Sequence, residues 1–183
     1  MKEDIYIISG TMASGKDAVL KRLKNNFDFH WVTSTTTRLM RINEKEGKPY
    51  NFITRKNFMN MERKGRFVEC SKIYDNFYGI TKREIREAIR SNKKVFIRVN
   101  EAGVKKFKKI FPKAITIFIA PPSITTIQKR IIGRGTSEKK IIEERLKSAR
   151  NQMRKIIHCG CDYIIINTDI NETVKKVLKI VRR

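Results

Sequence analysis

The segment between the first apolar run and the first helical pattern constrains the fold of this chain most strongly. Residues 10–16 read Gly-Thr-Met-Ala-Ser-Gly-Lys, after the apolar run Ile5–Ile8 and before the helical spacing of Lys16–Asn25. Glycines let the backbone bend so that successive N–H groups point at one anion, and the N-terminus of the helix adds partial positive charge. Lys16 supplies a cation for the outer phosphates. The segment therefore predicts a loop that binds a nucleoside triphosphate, formed by Gly10, Thr11, Met12, Ala13, Ser14, Gly15, Lys16, Asp17 and Ala18.

Apolar runs typical of buried strands alternate with segments of helical spacing along most of the chain. The runs are Ile5–Ile8, Trp31–Thr33, Val95–Val99, Ile115–Ile119 and Tyr163–Ile166. The helical segments are Lys16–Asn25, Lys82–Ser91, Gly103–Ile110, Ile124–Ile132, Ser137–Ile157 and Asn171–Val181. Strands with little polar alternation, separated by helices, predict a three-layer α/β fold with a five-stranded parallel sheet covered on both faces. Ligands of such sheets bind beyond the carboxyl ends of the strands, where the glycine loop lies.

Two regions interrupt this alternation within the expected single domain. Residues 34–81 are rich in Arg, Thr, Tyr and Phe, and their short strand-like pieces predict an inserted β lobe. Residues 125–155 contain Gly133-Arg134-Gly135 and a charged helix, which predict a helical lid with a hinge. The core is then expected to comprise residues 1–33, 82–124 and 156–183.

Composition limits the partners and the compartment. The net charge is +24, but the 42 Lys and Arg residues are scattered, which predicts only non-specific electrostatic binding to nucleic acid. Three cysteines form no disulfide framework, and His158-Cys159-Gly160-Cys161 lacks a second ligand pair for a metal. With no apolar segment of membrane-spanning length and no signal-peptide pattern, we expect a cytoplasmic protein without a membrane partner. The oligomeric state is left open.

The inserted region carries a second candidate site for a phosphorylated ligand. Arg38 and Arg41 lie three residues apart, with the hydroxyls of Ser34 and Tyr50 nearby, and can bind one phosphate through several charge-assisted hydrogen bonds. Glu69 follows in the same region. A carboxylate can accept hydrogen bonds from N1–H and the exocyclic amine of guanine, whereas adenine offers no such pair of donors.

At these residues the chain resembles guanylate kinases, and the resemblance extends over nearly its whole length. It includes the glycine loop, Ser34-Thr35-Thr36-Thr37-Arg38 with Arg41 and Glu44, then Gly47, Tyr50, Phe52, Glu69, Tyr78-Gly79, Ala120-Pro121-Pro122-Ser123, Gly133-Arg134-Gly135-Thr136, Arg145 and Asn167. The resemblance implies a P-loop NTPase fold with a GMP-binding lobe and a helical lid. It implies transfer of a phosphoryl group from ATP, with Mg²⁺, to GMP.

The resemblance also implies roles for individual residues. The GMP-binding residues would be Ser34, Arg38, Arg41, Tyr50, Glu69, Tyr78, Thr81 and Asn100. Beyond the glycine loop, the ATP-binding residues would be Arg130, Arg134 and Asn167. The catalytic residues would be Lys16, Arg41, Arg134 and Arg145.

Four positions depart from the family pattern. Asp17 replaces the usual Ser or Thr after the lysine, and its carboxylate is the candidate ligand for Mg²⁺. Arg98 and Asn100 replace two aspartates, and Ile80 replaces a frequent Ser or Thr. One hypothesis is a charge swap in which Asp17 pairs with Arg98.

Two other functions stay open. Ribose 1,5-bisphosphate phosphokinase resembles this chain in its Gly-Lys-Asp loop and Val-Asn pair, which predicts a related kinase with another phosphorylated acceptor. A GMP-binding protein with little catalytic activity is the other alternative.

Overall fold

The computed structural model describes residues 4–42, 44–133, 138–155 and 160–182. The chain divides into two compact units. The first unit comprises Met1–Tyr6, Phe29–Arg98 and Lys105–Ala114, and the second comprises Ile7–Asp28, Val99–Val104 and Ile115–Arg183. The predicted boundaries of core, lobe and lid stay a prediction.

The elements follow one another along the chain as β1 (Ile5–Gly10), α1 (Lys16–Lys24), β2 (His30–Trp31), β3 (Ser34–Thr36), β4 (Lys45–Glu46), β5 (Pro49–Phe52), α2 (Arg55–Arg63), β6 (Phe67–Ile73), β7 (Asn76–Thr81), α3 (Lys82–Arg90), β8 (Val95–Arg98), α4 (Glu101–Ile110), β9 (Ile115–Ala120), α5 (Ile124–Ile132), α6 (Lys139–Lys155), β10 (Tyr163–Ile166) and α7 (Ile170–Val181).

The predicted five-stranded parallel sheet is confirmed, with the strand order β10-β9-β1-β8-β2. In the second unit β10 pairs with β9 in parallel, with Ile165 opposite Ile119. In the first unit β2 pairs with β8 in parallel, with Trp31 opposite Phe96. Ile7, Ile97 and Ile117 are completely buried, as expected for strands covered on both faces.

A second sheet lies wholly in the first unit and has the order β4-β5-β3-β7-β6. Its pairing is mixed, since β3 is parallel to β5 and antiparallel to β7. The helix α2 also lies in this region, where the sequence predicted only small strands. Its N-cap is Thr54, whose side chain accepts a hydrogen bond from the Asn57 N–H, and its Phe58 is completely buried.

The helices of the second unit pack through apolar faces. Helix α1 packs against α7, which buries Val174, Val177, Ile180 and Val181. Helices α5 and α6 form a small core around Ile127 and Leu146, which also includes Ala13 of the loop between β1 and α1. None of the helices in the described ranges combines the length and the hydropathy needed to cross a membrane.

Candidate active site

Two glycines fix the backbone of the loop that follows β1. A Cβ atom at Gly10 would collide with the backbone oxygen of Ile119, so only glycine fits there. Gly15 has a φ of 91° and stands at the N-cap of α1, where a side chain would also meet the amide of Asn167. Because L residues with a Cβ rarely adopt this conformation, the turn into α1 requires glycine. The loop therefore forms a tight turn at the carboxyl end of β1.

Two side chains predicted to bind ATP hold the carbonyl groups of this loop. One Arg130 Nη atom donates hydrogen bonds to the carbonyl oxygens of Ala13 and Ser14, both at 3.0 Å. Asn167 Nδ2 donates to the same Ser14 oxygen at 2.8 Å, and Asn167 Oδ1 accepts a hydrogen bond from the Thr173 hydroxyl at 3.0 Å. With these carbonyls engaged by side chains, the loop can present its N–H groups to an anion.

Polar groups inside the loop are available to a ligand. The hydroxyls of Thr11 and Ser14 are buried and have no hydrogen-bond partner among the described residues. Lys16 Nζ donates to the Thr11 carbonyl oxygen at 3.3 Å. Buried hydroxyls without partners are costly, and a bound phosphate would satisfy them. The geometry of the loop therefore suits a phosphate ligand.

The second sheet places five of the discussed residues on one face. Ser34 is the register partner of Tyr50, Thr36 is that of Tyr78, and Glu69 is that of Ile80. Register partners share a face of a sheet, as do residues two apart along a strand. Ser34, Tyr50, Tyr78, Ile80 and Glu69 therefore point to the same side, which we call the acceptor face.

A half-buried ion pair borders the acceptor face. Arg38 donates to both carboxylate oxygens of Glu44, each at 2.8 Å, and its guanidinium carbon lies 5.0 Å from the centroid of the Tyr50 ring. Burial disfavours the charged form of Arg38, but the hydrogen bond and charge of Glu44 outweigh it and raise the pKa of Arg38. Burial would raise the pKa of Glu44, yet Arg38 and the Arg41 N–H together lower it. The Arg41 side chain is exposed.

Glu69 is a buried carboxyl group on the acceptor face, with 7% of its surface exposed. Burial raises its pKa, and a hydrogen bond from Ser71 and the charge of Lys106 oppose this only in part. A desolvated carboxylate binds hydrogen-bond donors of a ligand more strongly than an exposed one does. Glu69 is thus suited to accept hydrogen bonds from a ligand.

Two other residues predicted to bind GMP cap helices. The Thr81 hydroxyl accepts a hydrogen bond from the Glu84 N–H at 3.1 Å at the start of α3. Thr81 is also adjacent to Ile80 in β7, so its side chain points away from the acceptor face. Asn100 Oδ1 accepts from the Gly103 N–H at 2.9 Å in the first turn of α4. Their predicted contacts with GMP stay a prediction.

The remaining predicted residues are the Mg²⁺ ligand and two catalytic arginines. Asp17 is half-buried in the first turn of α1, and Arg145 is half-buried in α6. Arg134 lies outside the described residues. Because Asp17 and Arg98 belong to different units, their proposed pairing also stays a prediction.

The structure places Arg98 beside Ser34 and Tyr50, which the sequence analysis did not predict. One Nη atom of Arg98 donates to Ser34 Oγ at 3.3 Å, and its guanidinium carbon lies 4.2 Å from the Tyr50 ring centroid. No local sequence signal links positions 34, 50 and 98. Ser34 and Tyr50 meet through the pairing of β3 with β5, whereas Arg98 belongs to a strand of the other sheet.

The parallel sheet and the glycine loop between β1 and α1 define a P-loop NTPase fold. A family model described as "Guanylate kinase" matches residues 2–183. The guanylate kinase of Clostridioides difficile (strain 630) is 35% identical over 174 residues, which cover 94% of this chain and 84% of that relative. The guanylate kinase of Wigglesworthia glossinidia brevipalpis is 35% identical over 185 residues, which cover 99% and 88%. The chain belongs to the guanylate kinase family.

Solved structures agree with this assignment. The crystal structure of guanylate kinase from Anaplasma phagocytophilum matches with a TM-score of 0.77 and 28% identity, covering 98% of this chain and 85% of that one. Shikimate kinase from Bacteroides thetaiotaomicron matches with a TM-score of 0.52 and 12% identity, covering 98% and 99%, which shows a shared fold alone.

Proposed function

We propose that this member of the guanylate kinase family transfers the γ-phosphoryl group of ATP to GMP, giving ADP and GDP. The observation that carries the choice of acceptor is the acceptor face, which joins a buried carboxyl group to hydroxyl and guanidinium groups. Glu69 would accept hydrogen bonds from N1–H and the exocyclic amine of guanine. Ser34, Tyr50, Tyr78, Arg38 and Arg41 would hold the phosphate.

Binding of GMP would add the phosphate to the partners of Arg38. In the structure Glu44 engages this guanidinium through two hydrogen bonds. A guanidinium has five N–H donors, so Arg38 can keep Glu44 and still donate to a phosphate. The ion pair then holds Arg38 in place before the ligand arrives, which lowers the entropic cost of binding.

On the donor side, the loop would bind the phosphates of ATP. Its N–H groups, the N-terminus of α1 and Lys16 would stabilise negative charge on the transferred group. Arg130 and Asn167 support this role through their hydrogen bonds to the loop. In the proposal Asn167 also touches the adenine, and Arg134 and Arg145 neutralise charge in the transition state.

Phosphoryl transfer requires the protein mainly to position the two substrates and to neutralise the negative charge of their phosphates. The acceptor is already an ionised phosphate, so no strong general base is required. The phosphates of ATP and GMP must meet in line, and water must be excluded to prevent hydrolysis of ATP.

Magnesium would enter with ATP as part of the substrate. The described residues contain no cluster of three or more His, Cys, Asp or Glu side chains arranged for a metal. In kinases Mg²⁺ is usually bound by one or two carboxylates together with substrate phosphates. The carboxylate of Asp17, in the first turn of α1, is the proposed protein ligand.

We also propose that the protein acts in purine nucleotide metabolism and is located in the cytoplasm. Among the described residues, Cys70 and Cys161 are not in a disulfide bond, which is compatible with a reducing compartment. The proposed partners are ATP and GMP, with no membrane partner and only non-specific binding to nucleic acid.

The test is an acceptor screen in which release of ADP is coupled to a spectroscopic signal. GMP, dGMP, AMP and ribose 1,5-bisphosphate are each supplied with MgATP. We expect GMP to be the best acceptor and Lys16→Ala to abolish turnover, while Lys21→Ala, an exposed lysine of the same helix, leaves it unchanged. ADP release with GMP no faster than without an acceptor would refute the proposal, and faster release with ribose 1,5-bisphosphate would replace it.

A further inference from the structure

Ala13 has an unfavourable backbone conformation within the glycine loop. Its φ is 55°, in the left-handed region that residues with a Cβ adopt only at a cost in free energy. Glycine would adopt the same conformation without this cost. Strain of this kind persists only where the surroundings hold the residue in place, and it is common at functional sites. The contacts of Ala13 must therefore offset the cost of its conformation.

The methyl group of Ala13 is buried against α5 and α6, which belong with it to the second unit. Only 4% of the surface of Ala13 is exposed. It shares one apolar cluster with four buried residues of the two helices, which are Ile127, Ile131, Leu146 and Ala149. Met12, the preceding residue of the loop, is partly buried and packs against the same cluster. Glycine at position 13 would lose the contact of the methyl group, so this packing offsets the backbone strain.

Helix α5 also holds Ala13 by its carbonyl group. One Nη atom of Arg130 donates hydrogen bonds to the carbonyl oxygens of Ala13 and Ser14, both at 3.0 Å. Arg130 lies directly before Ile131 and three residues after Ile127, so one turn of α5 supplies both the polar and the apolar contacts. The position of the loop at Ala13 is therefore fixed relative to α5 by two kinds of contact.

The same cluster determines where a proposed catalytic residue lies. Arg145 directly precedes Leu146 in α6, and Leu146 and Ala149 are the buried residues through which α6 joins the cluster. Protein interiors are close-packed, so the loss of even one methyl group affects the position of its neighbours. A misplacement of about 1 Å at a catalytic group can lower a rate roughly 100-fold. The packing of Ala13 against α6 is therefore relevant to catalysis.

We propose that Ala13 is a positioning residue for Arg145. Its methyl group holds α6 at a fixed position relative to the glycine loop, so that the loop which binds the triphosphate also locates the arginine that neutralises charge in the transition state. The inference rests on the proposed function, because it concerns how the parts of the same site are placed relative to each other.

The test is a double-mutant cycle on kcat, with MgATP and GMP as substrates. Ala13→Gly removes the methyl group and leaves a residue that adopts the same φ without strain, so the loop keeps its conformation. We expect this variant to lower kcat about fivefold and to change the KM for ATP less than about twofold. In the Arg145→Met background the same substitution should change kcat less than about twofold, because the group that Ala13 positions is absent.

The matched control is Ile180→Val, which removes one methyl group from the buried face of α7 in the same unit. It should lower the Tm, as loss of a buried methyl group does, and leave kcat unchanged. This control separates a loss of stability from a loss of positioning. If Arg145→Met does not fold, Arg145→Lys takes its place in the cycle.

Other results contradict the inference. Equal losses of kcat in the two backgrounds would mean that Ala13 acts independently of Arg145, and an unchanged kcat in Ala13→Gly would mean that the methyl group has no role in catalysis. A raised KM for ATP with an unchanged kcat would assign the methyl group to the loop conformation alone. If Arg145→Met keeps full activity, the inference fails together with the role of Arg145. If the unmodified protein releases no ADP with GMP, the proposed function itself fails, which differs from a failure confined to the variants.

Discussion

At the scale of single residues, Glu69 is buried, and its proposed role in binding guanine requires the ionised carboxylate. Burial raises its pKa above the ordinary carboxyl value. Only the ionised group can accept hydrogen bonds at both oxygens without offering a donor of its own. Folding and binding therefore make opposite demands on this side chain, since burial favours the protonated form and guanine would favour the carboxylate.

We therefore predict that the affinity for GMP decreases at acid pH, and we call this decrease the acid limb. As the pH falls through the raised pKa of Glu69, the carboxylate gains a proton and the affinity for GMP falls. The loss should begin at a higher pH than an exposed carboxyl group would give. The measurement is KM for GMP as a function of pH, with the KM for ATP measured alongside.

The variant Glu69→Gln should have weaker GMP binding at neutral pH and no such acid limb. Glu87→Gln, which changes an exposed carboxyl group on α3, serves as its control and should behave like the unmodified protein. An acid limb that persists in Glu69→Gln would assign the titration to another group.

At the scale of elements, the conformation of the glycine loop between β1 and α1 depends on the segment between β10 and α7. Asn167 is almost fully buried and joins the Ser14 carbonyl oxygen to the Thr173 hydroxyl. Asn167→Ala should raise the KM for ATP about tenfold and lower the Tm by several degrees, because it leaves buried polar groups unsatisfied. Steady-state kinetics and a thermal melt measure the two effects.

The control for this prediction is Asn171→Ala, at an exposed position in the first turn of the same helix. It should change neither quantity by a comparable amount. A lower Tm with an unchanged KM for ATP would show that Asn167 stabilises the fold without shaping the loop.

The elements of the parallel sheet were predictable because their signal is local. Each predicted strand is a short apolar run, and the bounds of the strand Tyr163–Ile166 and of the helix Ile124–Ile132 agree with the structure to the residue. The expected burial of Tyr163–Ile166 was wrong, because Ile164 and Ile166 are exposed. The run Trp31–Thr33 was wrong in its extent, since β2 ends at Trp31 and β3 begins at Ser34 in the other sheet. Side-chain hydrophobicity alone does not reveal where a chain passes from one sheet to another.

The helix α2 was missed for a related reason. It completely buries Phe58 and otherwise carries exposed or half-buried polar residues and methionines, so its apolar periodicity is weak. Its clearest signal is Thr54 three residues before Asn57, a capping pattern that is common outside helices as well.

The composition of the candidate site was predictable, but its arrangement was not. Ser34, Tyr50, Tyr78 and Glu69 were identified from residue type and resemblance, and strand register then places them on one face. The capping role of Thr81 has a local signal, since Glu84 follows it by three residues as in a capping box. The contacts of Arg98 with Ser34 and Tyr50 join positions that are distant in the sequence, and no neighbouring residue predicts them.

At the scale of the whole molecule, the net charge of +24 is the dominant electrostatic feature. Self-repulsion of this size destabilises the compact state, and salt screens it. We expect the Tm to rise when NaCl is increased from about 0.02 M to about 0.3 M, where the Debye length is shorter than 10 Å. Differential scanning calorimetry measures this, and a Tm that falls with added salt would mean that attractive ion pairs outweigh the repulsion.

The same charge makes the binding of phosphorylated ligands faster at low salt, since a basic surface attracts anions before they reach a site. The salt dependence should therefore be strong for the association rate and weaker for the specificity between GMP and AMP. In the proposed function this specificity depends on the buried carboxyl group of Glu69, which salt screens little.

The most direct measurement of the central claim is a crystal structure of the protein with GMP. The account predicts guanine beside Glu69 and the phosphate among Ser34, Arg38, Arg41, Tyr50 and Tyr78 on the acceptor face. GMP bound at another place, with the acceptor face empty, would contradict it.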